Sequence, residues 1–342
     1  MKLGVKLPTS GPFTTADAIL RVAQAADRCG YDSVWVHDHL TRSPDDAEHH
    51  FVGGSWESWE RPVIPNVFEA MSTLSWIAGQ TTRVALGTSV VILPARNPVW
   101  LAKEFATLDQ FSGGRAILGV GVGGSAYVRR ELRSGGIFEE IHKPGAYVTE
   151  AISVIRSVWS EPKLNYDGRY FHIEDAEVYP KPVNGSVPIW LGVRGPIGRK
   201  RVGTYCDGWL PMYLSADELS SGRKEIRSIA EENGRDPDAI EIASEHWLAI
   251  DTDQARAFER SERTRKGLVA YSMAQPGSGA HYSKFHHADR SDTCNFVGDE
   301  ELIRQRIEEY GAAGADHLIV RVIGDSVEQM IESVEWFRSL VT

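Results

Sequence analysis

The sequence contains few cysteines. Only three are present among 342 residues, and Cys29, Cys206 and Cys294 are widely separated. Three scattered cysteines fit neither a disulfide framework nor a zinc-binding pattern, so we expect a reducing, cytoplasmic environment. Because Cys29 and Cys206 lie late in predicted helices, we expect both to be small buried side chains.

Long apolar runs and an excess of positive charge are also lacking. No stretch approaches the roughly 18 to 20 apolar residues of a membrane-spanning helix. Residues 1–10 run straight into a strand-like pattern, without the apolar core and cleavage site of a signal peptide. The formal net charge of −10 argues against nucleic acid or an anionic membrane surface as the main partner, so a small molecule is expected instead.

Short apolar runs alternate with longer segments of helical period along most of the chain. Such alternation is typical of parallel strands joined by crossover helices, and strands of this composition are usually buried on both faces. The pattern predicts an α/β fold, a single (β/α)8 TIM barrel that spans 1–342. The predicted strands are 2–8, 33–37, 84–91, 116–120, 189–192, 208–211, 240–250 and 317–322.

Two segments are too long for a minimal barrel. Residues 160–187 contain several aromatic side chains and prolines, and we expect an ordered insertion there. Residues 272–297 show no period, which predicts either a mobile lid or plain disorder.

An aspartate precedes three of the predicted strands. Asp32, Asp207 and Asp316 each follow a predicted helix and stand immediately before a strand. We therefore expect the same join between helix and strand to recur around the barrel.

The second strand ends in two histidines that flank an aspartate, His37-Asp38-His39. Strand alternation places His37 and His39 on one side and Asp38 on the other. Three interpretations are open: a metal pair as in barrel hydrolases, one histidine as an acid/base group at the mouth, or two histidines that only end the strand. Glu245-His246 is the other candidate at a strand end, but no lysine or aspartate completes a metal set there, so we expect no metal.

Glycines follow the fourth strand. The segment 119–124 matches G-x-G-x-x-G, a pattern of dinucleotide-binding folds. It lies at the fourth strand instead of the first, however, and the next predicted helix begins only after Pro144. We therefore interpret Gly121 and Gly123 as positions where the backbone approaches a flat ligand closely.

Two further strand ends are candidates for a binding role. Residues 87–94 continue the third strand past its expected end, either as a bulge under a ligand or as a plain long strand. After the fifth strand, glycines and a proline open a helix that then carries three cations, which suits an anion such as a phosphate. The alternative is a solvated basic helix end. This second segment contains Gly192, Arg194, Gly195, Pro196, Gly198 and Arg199.

The ordered set of strand-end segments resembles the luciferase-like monooxygenase superfamily, and within it the deazaflavin-dependent oxidoreductases. The likeness extends over nearly the whole chain in the same order. Two departures stand out. Residues 124–127, Gly-Ser-Ala-Tyr, follow Gly123 where many deazaflavin members have an acidic residue and an asparagine, and Lys143 or Tyr147 replaces an arginine. The segments that carry the likeness are 30–39, 83–90, 114–121, 188–192, 207–209 and 311–322.

The resemblance implies a luciferase-like barrel with insertions that holds the deazaflavin coenzyme F-420, or alternatively FMN, at the carboxyl ends of its strands. It implies that His39 is the catalytic acid/base group and that the peptide bond between Ser89 and Val90 is cis. The residues that it places at the cofactor are Asp38, Thr88, Ser89, Val90, Gly121, Gly123, Gly192, Arg194, Gly195, Pro196, Gly198 and Arg199.

The expected activity is hydride transfer between F-420 and a small organic substrate. One alternative is a two-component monooxygenase that uses reduced FMN and oxygen, supplied by a separate reductase. Another is a barrel that binds a cofactor without catalysis. Because exposed apolar helix faces on barrels often associate, we also expect a homodimer.

Overall fold

Eight parallel strands close into a barrel in the computed structural model, which describes residues 1–10, 13–40, 67–123, 126–137, 143–262 and 294–341. The barrel order is β1-β2-β3-β5-β8-β9-β10-β12, and β12 pairs with β1. In chain order the strands are β1 (Lys2–Lys6), β2 (Ser33–Val36), β3 (Ala85–Thr88), β4 (Val91–Ile92), β5 (Ala116–Gly121), β6 (Leu164–Asp167), β7 (His172–Ala176), β8 (Ile189–Gly192), β9 (Gly208–Trp209), β10 (Glu241–Ile250), β11 (Phe296–Gly298) and β12 (His317–Val322).

Helices surround the barrel and bury their apolar faces against the strands, as the alternating pattern predicts. A further helical stretch covers 254–262. None of the helices in the described ranges has the length and hydropathy needed to cross a lipid bilayer. The labelled helices are α1 (Ala16–Cys29), α2 (Ala70–Ala78), α3 (Pro98–Ser112), α4 (Ala126–Ser134), α5 (Pro144–Ser160), α6 (Pro196–Tyr205), α7 (Ala216–Glu232), α8 (Glu300–Ala312) and α9 (Val327–Leu340).

The eight predicted strands are the eight strands of the barrel, so the predicted fold is confirmed. In the first predicted insertion, β6 and β7 form an antiparallel hairpin. Residues 272–293 of the second lie outside the described residues, and 294–297 lead into β11. Cys206 is buried as expected, whereas Cys29 is only half-buried.

The three aspartates that precede strands form the same contact. Asp32 Oδ2 accepts a hydrogen bond from the backbone N–H of Leu3 at 2.7 Å. Asp207 Oδ2 accepts one from Ile189 at 2.9 Å, and Asp316 Oδ2 one from Ile242 at 2.9 Å. Each carboxylate therefore satisfies an amide at the start of the neighbouring barrel strand, and this shared task explains the recurrence of aspartate at these joins.

Two tryptophans fill the interior of the barrel. The ring centroids of Trp35 and Trp190 lie 5.1 Å apart. Glycines face them: a Cβ at Gly87 would lie 2.4 Å from Trp35, and one at Gly208 would lie 2.5 Å from Trp190. Because these rings occupy the core of the barrel, the space for a ligand is at the carboxyl ends of the strands.

His246 lies on the outer face of β10, between the barrel and its covering helices. Its ring is buried at 4.4 Å from the ring of Tyr310, and its Nδ1–H donates to the carbonyl of Cys294. Burial lowers the pKa of His246 to about 3, although the hydrogen bond to Cys294 opposes this shift. His246 is therefore a neutral core residue, whereas the adjacent Glu245 points into the barrel.

This pKa makes the stability of the fold depend on pH. An unfolded chain takes up a proton at His246 near its ordinary pKa of 6.5, whereas the folded chain does so near 3, so stability is lost as the pH falls through this window. Between pH 7 and pH 5 we expect His246 to account for a loss of about 2 kcal/mol in the free energy of unfolding.

Urea denaturation at the two pH values measures this loss. His246→Phe keeps an aromatic ring against Tyr310 and removes the titrating group. We expect the variant to lose about 2 kcal/mol less than the wild type over this range. The exposed His172 on β7 provides the matched control, His172→Gln. Equal losses in the wild type and His246→Phe would show that His246 already takes up its proton near pH 6.5 in the fold.

Candidate active site at the carboxyl ends of the strands

A buried ion pair forms the floor of the site. Lys6 Nζ lies 2.7 Å from Glu245 Oε1, and the two side chains are 3% and 0% exposed. Lys6 also donates to the carbonyl of Ser89 at 3.0 Å. Burial lowers the pKa of Lys6, and the negative charge of Glu245 opposes that shift. The pair thus connects β1 and β10 to the segment between β3 and β4.

That segment is a bulge of one residue. Gly87 pairs with Ile117 before it and Val91 with Val120 after it, so the third strand advances four residues where β5 advances three. Of the two interpretations of 87–94, the bulge is confirmed. The peptide bond between Ser89 and Val90 is cis, as the family resemblance implies.

Val90 lies on two of the predicted glycines. A Cβ at Gly121 would be 2.5 Å from Val90 Cγ2, and one at Gly192 would be 2.7 Å from Val90 Cγ1. The absence of side chains at Gly121 and Gly192 therefore makes room for Val90, which stands at the barrel mouth as an apolar support. We call these three residues the Val90 ledge.

The two residues before Val90 are turned into the protein. The Thr88 hydroxyl donates to the Gly119 carbonyl at 2.8 Å and accepts from the Gly119 amide at 3.1 Å. Ser89 Oγ is buried with no hydrogen-bond partner in the described part of the chain. Thr88 therefore fixes the bulge against β5, while Ser89 keeps an unsatisfied hydroxyl close to the ledge.

The two histidines after β2 are neighbours, with ring centroids 5.3 Å apart. His37 is 7% exposed, and its Nδ1 lies 3.1 Å from Thr9 Oγ1. His39 is 24% exposed at its side chain, and its Nδ1 lies 3.0 Å from Glu131 Oε2. Of the two imidazoles, that of His39 is thus the more accessible, and the Glu131 carboxylate contacts it at Nδ1.

Asp38 faces away from these rings. Its carboxylate forms an ion pair with Arg96 Nη2 at 2.7 Å and accepts from the backbone N–H of Ile92 at 3.3 Å. Burial disfavours the charged form of Arg96, but the hydrogen bonds and negative charges of Asp38 and Glu69 together outweigh this and raise the pKa of Arg96. Asp38 therefore anchors β4 just behind the ledge.

The start of α6 is open. Gly195 is the N-cap and Pro196 the first helical residue, and in the described ranges no side chain caps the amides of this first turn. A Cβ at Gly195 would have no atom within 4 Å. A helix start with free amides and accessible backbone is suited to an anionic group.

The other predicted residues of this segment are placed differently. A Cβ at Gly198 would be 2.5 Å from Val193, so Gly198 serves the packing of α6 on the end of β8. Arg199 is bound to Glu225 at 2.6 Å and donates to the Arg194 carbonyl. Its charge is therefore compensated by α7. The Arg194 guanidinium lies 4.0 Å from Glu218 Oε2.

Gly123, the last of the predicted glycines, adopts a φ of 65°, in the left-handed region that favours glycine. It lies two residues after the end of β5. A Cβ there would be 3.2 Å from Ile92 of β4. Among the described residues, no group of three or more histidine, cysteine, aspartate or glutamate side chains could hold a metal ion.

Three residues of the site were missed by sequence reasoning: Lys6, Arg96 and Glu131. Only Lys6 carried a signal, because it shares the inward phase of β1 with Gly4, whereas Leu3, Val5 and Leu7 belong to the outer core. Arg96 and Glu131 approach the end of β2 from other elements, and no spacing in the sequence connects them to it.

Two proteins with an assigned activity are similar in sequence to this chain over most of its length. The F-420-dependent glucose-6-phosphate dehydrogenase of Kineococcus radiotolerans is 33% identical over 266 residues, which cover 76% of this chain and 72% of that protein. The phthiodiolone/phenolphthiodiolone dimycocerosates ketoreductase of Mycobacterium tuberculosis is 29% identical over 328 residues, covering 91% of this chain and 82% of that protein.

The fold also matches solved structures. An F-420-dependent secondary alcohol dehydrogenase in complex with an F-420–acetone adduct superposes with a TM-score of 0.81 at 24% identity, covering 100% of this chain and 99% of that one. The family model for luciferase-like monooxygenases matches residues 1–317. With a match over nearly its whole length, the chain belongs to the luciferase-like monooxygenase family.

Proposed function

We propose that this chain is an oxidoreductase that binds the deazaflavin F-420 at the barrel mouth and transfers a hydride between it and a small organic substrate. One observation carries the proposal: the Val90 ledge and His39 stand at the ends of adjacent strands, with Ser89 N–H donating to the Val36 carbonyl at 2.7 Å. The name of the dehydrogenase that is 33% identical supports the choice of F-420.

The residues present fit such a cofactor. Val90 offers an apolar surface to a flat ring, since Gly121 and Gly192 beneath it have no side chains that would displace it. The open first turn of α6 at Gly195 and Pro196 suits the phosphate of the tail. Among the predicted cofactor residues, Asp38, Thr88, Gly198 and Arg199 would act indirectly, through contacts that hold these two features in place.

Bound at the ledge, the deazaflavin supplies hydride chemistry that no protein side chain can perform. His39 gives or takes the proton that accompanies the hydride, because its imidazole is accessible and can act as an acid/base group. Val90 fixes the position of the ring, and the tryptophans beneath close the barrel to water. The substrate would lie between the ring and His39.

We place this enzyme in the cytoplasm, where its three free cysteines stay reduced. A separate enzyme would return the cofactor to its starting redox state. We expect residues 41–65 and 272–296 to select the substrate, and of these only 294–296 lie within the described residues.

Cofactor binding and His39 test the proposal together. Titration of the purified protein with F-420 and with FMN should give tight binding of F-420. His39→Ala should retain this binding, because the ledge is unchanged, and should lower turnover by about 100-fold or more, as expected for loss of an acid/base group. The exposed His172→Ala is the matched control and should behave as the wild type.

Three results would contradict the proposal. Tight binding of FMN alone, with oxygen uptake in the presence of reduced FMN, would make the chain a two-component monooxygenase. Unchanged turnover in His39→Ala would remove His39 from the reaction, and binding without turnover by the wild type would favour a non-catalytic barrel.

The ledge makes a separate prediction. Gly192→Ala places a methyl group 2.7 Å from Val90 Cγ1, so it should displace Val90 and raise the Kd for F-420 by about tenfold. The double variant Gly192→Ala/Val90→Ala removes the clash, and its Kd should equal that of Val90→Ala alone. Gly311→Ala on α8, where a Cβ meets nothing within 4 Å, is the control. Equal affinity in Gly192→Ala and the wild type would separate the ledge from the cofactor.

We also propose a homodimer that uses the outer faces of α2 and α3. Trp76, Trp100 and Phe111 are 39%, 65% and 66% exposed there, which is unusual for such large side chains. Trp100→Asp should convert the dimer to a monomer by light scattering, because a buried unpaired charge is costly. Tyr205→Asp on α6 should leave the mass unchanged. A monomeric wild type would contradict the dimer.

A further inference from the structure

We propose that Glu131 is the positioning residue of His39, which it holds in one tautomer with Nε2 directed to the reaction. This rests on the proposed function, in which His39 exchanges the proton. Glu131 belongs to α4, and its side chain is 0% exposed. Its Oε2 lies 3.0 Å from His39 Nδ1, and its Oε1 accepts the backbone N–H of Leu40.

The burial of this carboxylate requires compensation. An ionised carboxylate is costly to remove from water unless hydrogen bonds replace its hydration. Glu131 obtains two of these bonds from consecutive residues of another element, the end of β2. The backbone N–H of Leu40 donates one bond, which anchors the chain. The His39 ring forms the other, which affects the chemistry of the imidazole. The two oxygens therefore have separable tasks.

The bond to the ring fixes the position of the proton. A carboxylate only accepts hydrogen bonds, so a neutral His39 beside it carries its proton on Nδ1. Nε2, at the opposite edge of the ring, then carries no proton and has the chemistry to accept one from the substrate. The carboxylate also balances the positive charge that the ring gains in that step, as in other carboxylate–histidine pairs.

His37 provides an internal comparison. Its Nδ1 faces the Thr9 hydroxyl at 3.1 Å, and a hydroxyl can donate or accept. Thr9 therefore imposes no tautomer on His37. Of these two contacts, only the one between Glu131 and His39 fixes a tautomer.

Glu131→Gln separates the two tasks of the carboxylate. Glutamine has the same shape but only one oxygen, so it can accept from Leu40 or from His39 but not from both. If the oxygen stays on Leu40, the amide group donates to Nδ1 and drives His39 to the Nε2–H tautomer. Nε2 then carries the proton and can no longer accept one.

The tautomer can be measured without cofactor or substrate. Long-range ¹H–¹⁵N NMR of histidine-labelled protein above pH 8, with His39→Ala for assignment, distinguishes the two neutral forms. We expect the Nδ1–H form in the wild type and the Nε2–H form, or a mixture, in Glu131→Gln, with the His37 signals unchanged. In turnover, kcat should fall at least tenfold while the Kd for F-420 changes by less than twofold.

The opposite results would overturn the inference. An Nε2–H tautomer at His39 in the wild type would contradict it even if every variant failed to fold. So would an unchanged tautomer in a folded Glu131→Gln, or a kcat within twofold of the wild type. A wild type that shows the Nδ1–H tautomer but does not bind F-420 would instead count against the proposed function and leave the role of Glu131 intact.

Discussion

The ion pair between Lys6 and Glu245 is the constraint on which the mouth of this barrel depends. Both side chains are buried, and Lys6 also binds the Ser89 carbonyl at 3.0 Å, so one ammonium group connects β1, β10 and the bulge after β3. Loss of one partner of such a pair leaves an unpaired buried charge, at a cost of about 3–5 kcal/mol. The Ser89 contact in turn sets Val90 over Gly121 and Gly192, and therefore sets the surface on which a flat ring would lie.

Most of the fold could be predicted from the sequence because its signals are local. Each barrel strand is a short apolar run, and each aspartate before a strand serves an amide in the neighbouring strand, as Asp316 does for Ile242. The bulge that contains Ser89 was one of the two interpretations that the sequence allowed for residues 87–94. The hairpin of β6 and β7 was foreseen only as an ordered insertion, since its strands pack on the outside and lack the buried pattern.

The site was predicted less completely, because its chemistry depends on contacts between distant segments. His39 and Val90 could be identified from strand ends and family resemblance. The partners that define their roles could not: Glu131 reaches His39 across 92 positions, and Arg96 reaches Asp38 across 58. Arg199 has a partner of the same kind, since the sequence shows a cation at a helix start but not that Glu225 of the next helix compensates its charge.

We propose that the Val90 ledge holds a deazaflavin. The most direct measurement is the identity of the ligand that the protein acquires in a host that makes both F-420 and FMN. The purified protein would be denatured, and the released small molecules would be identified by mass spectrometry. We expect F-420 as the bound molecule. FMN in its place, with no deazaflavin, would contradict it.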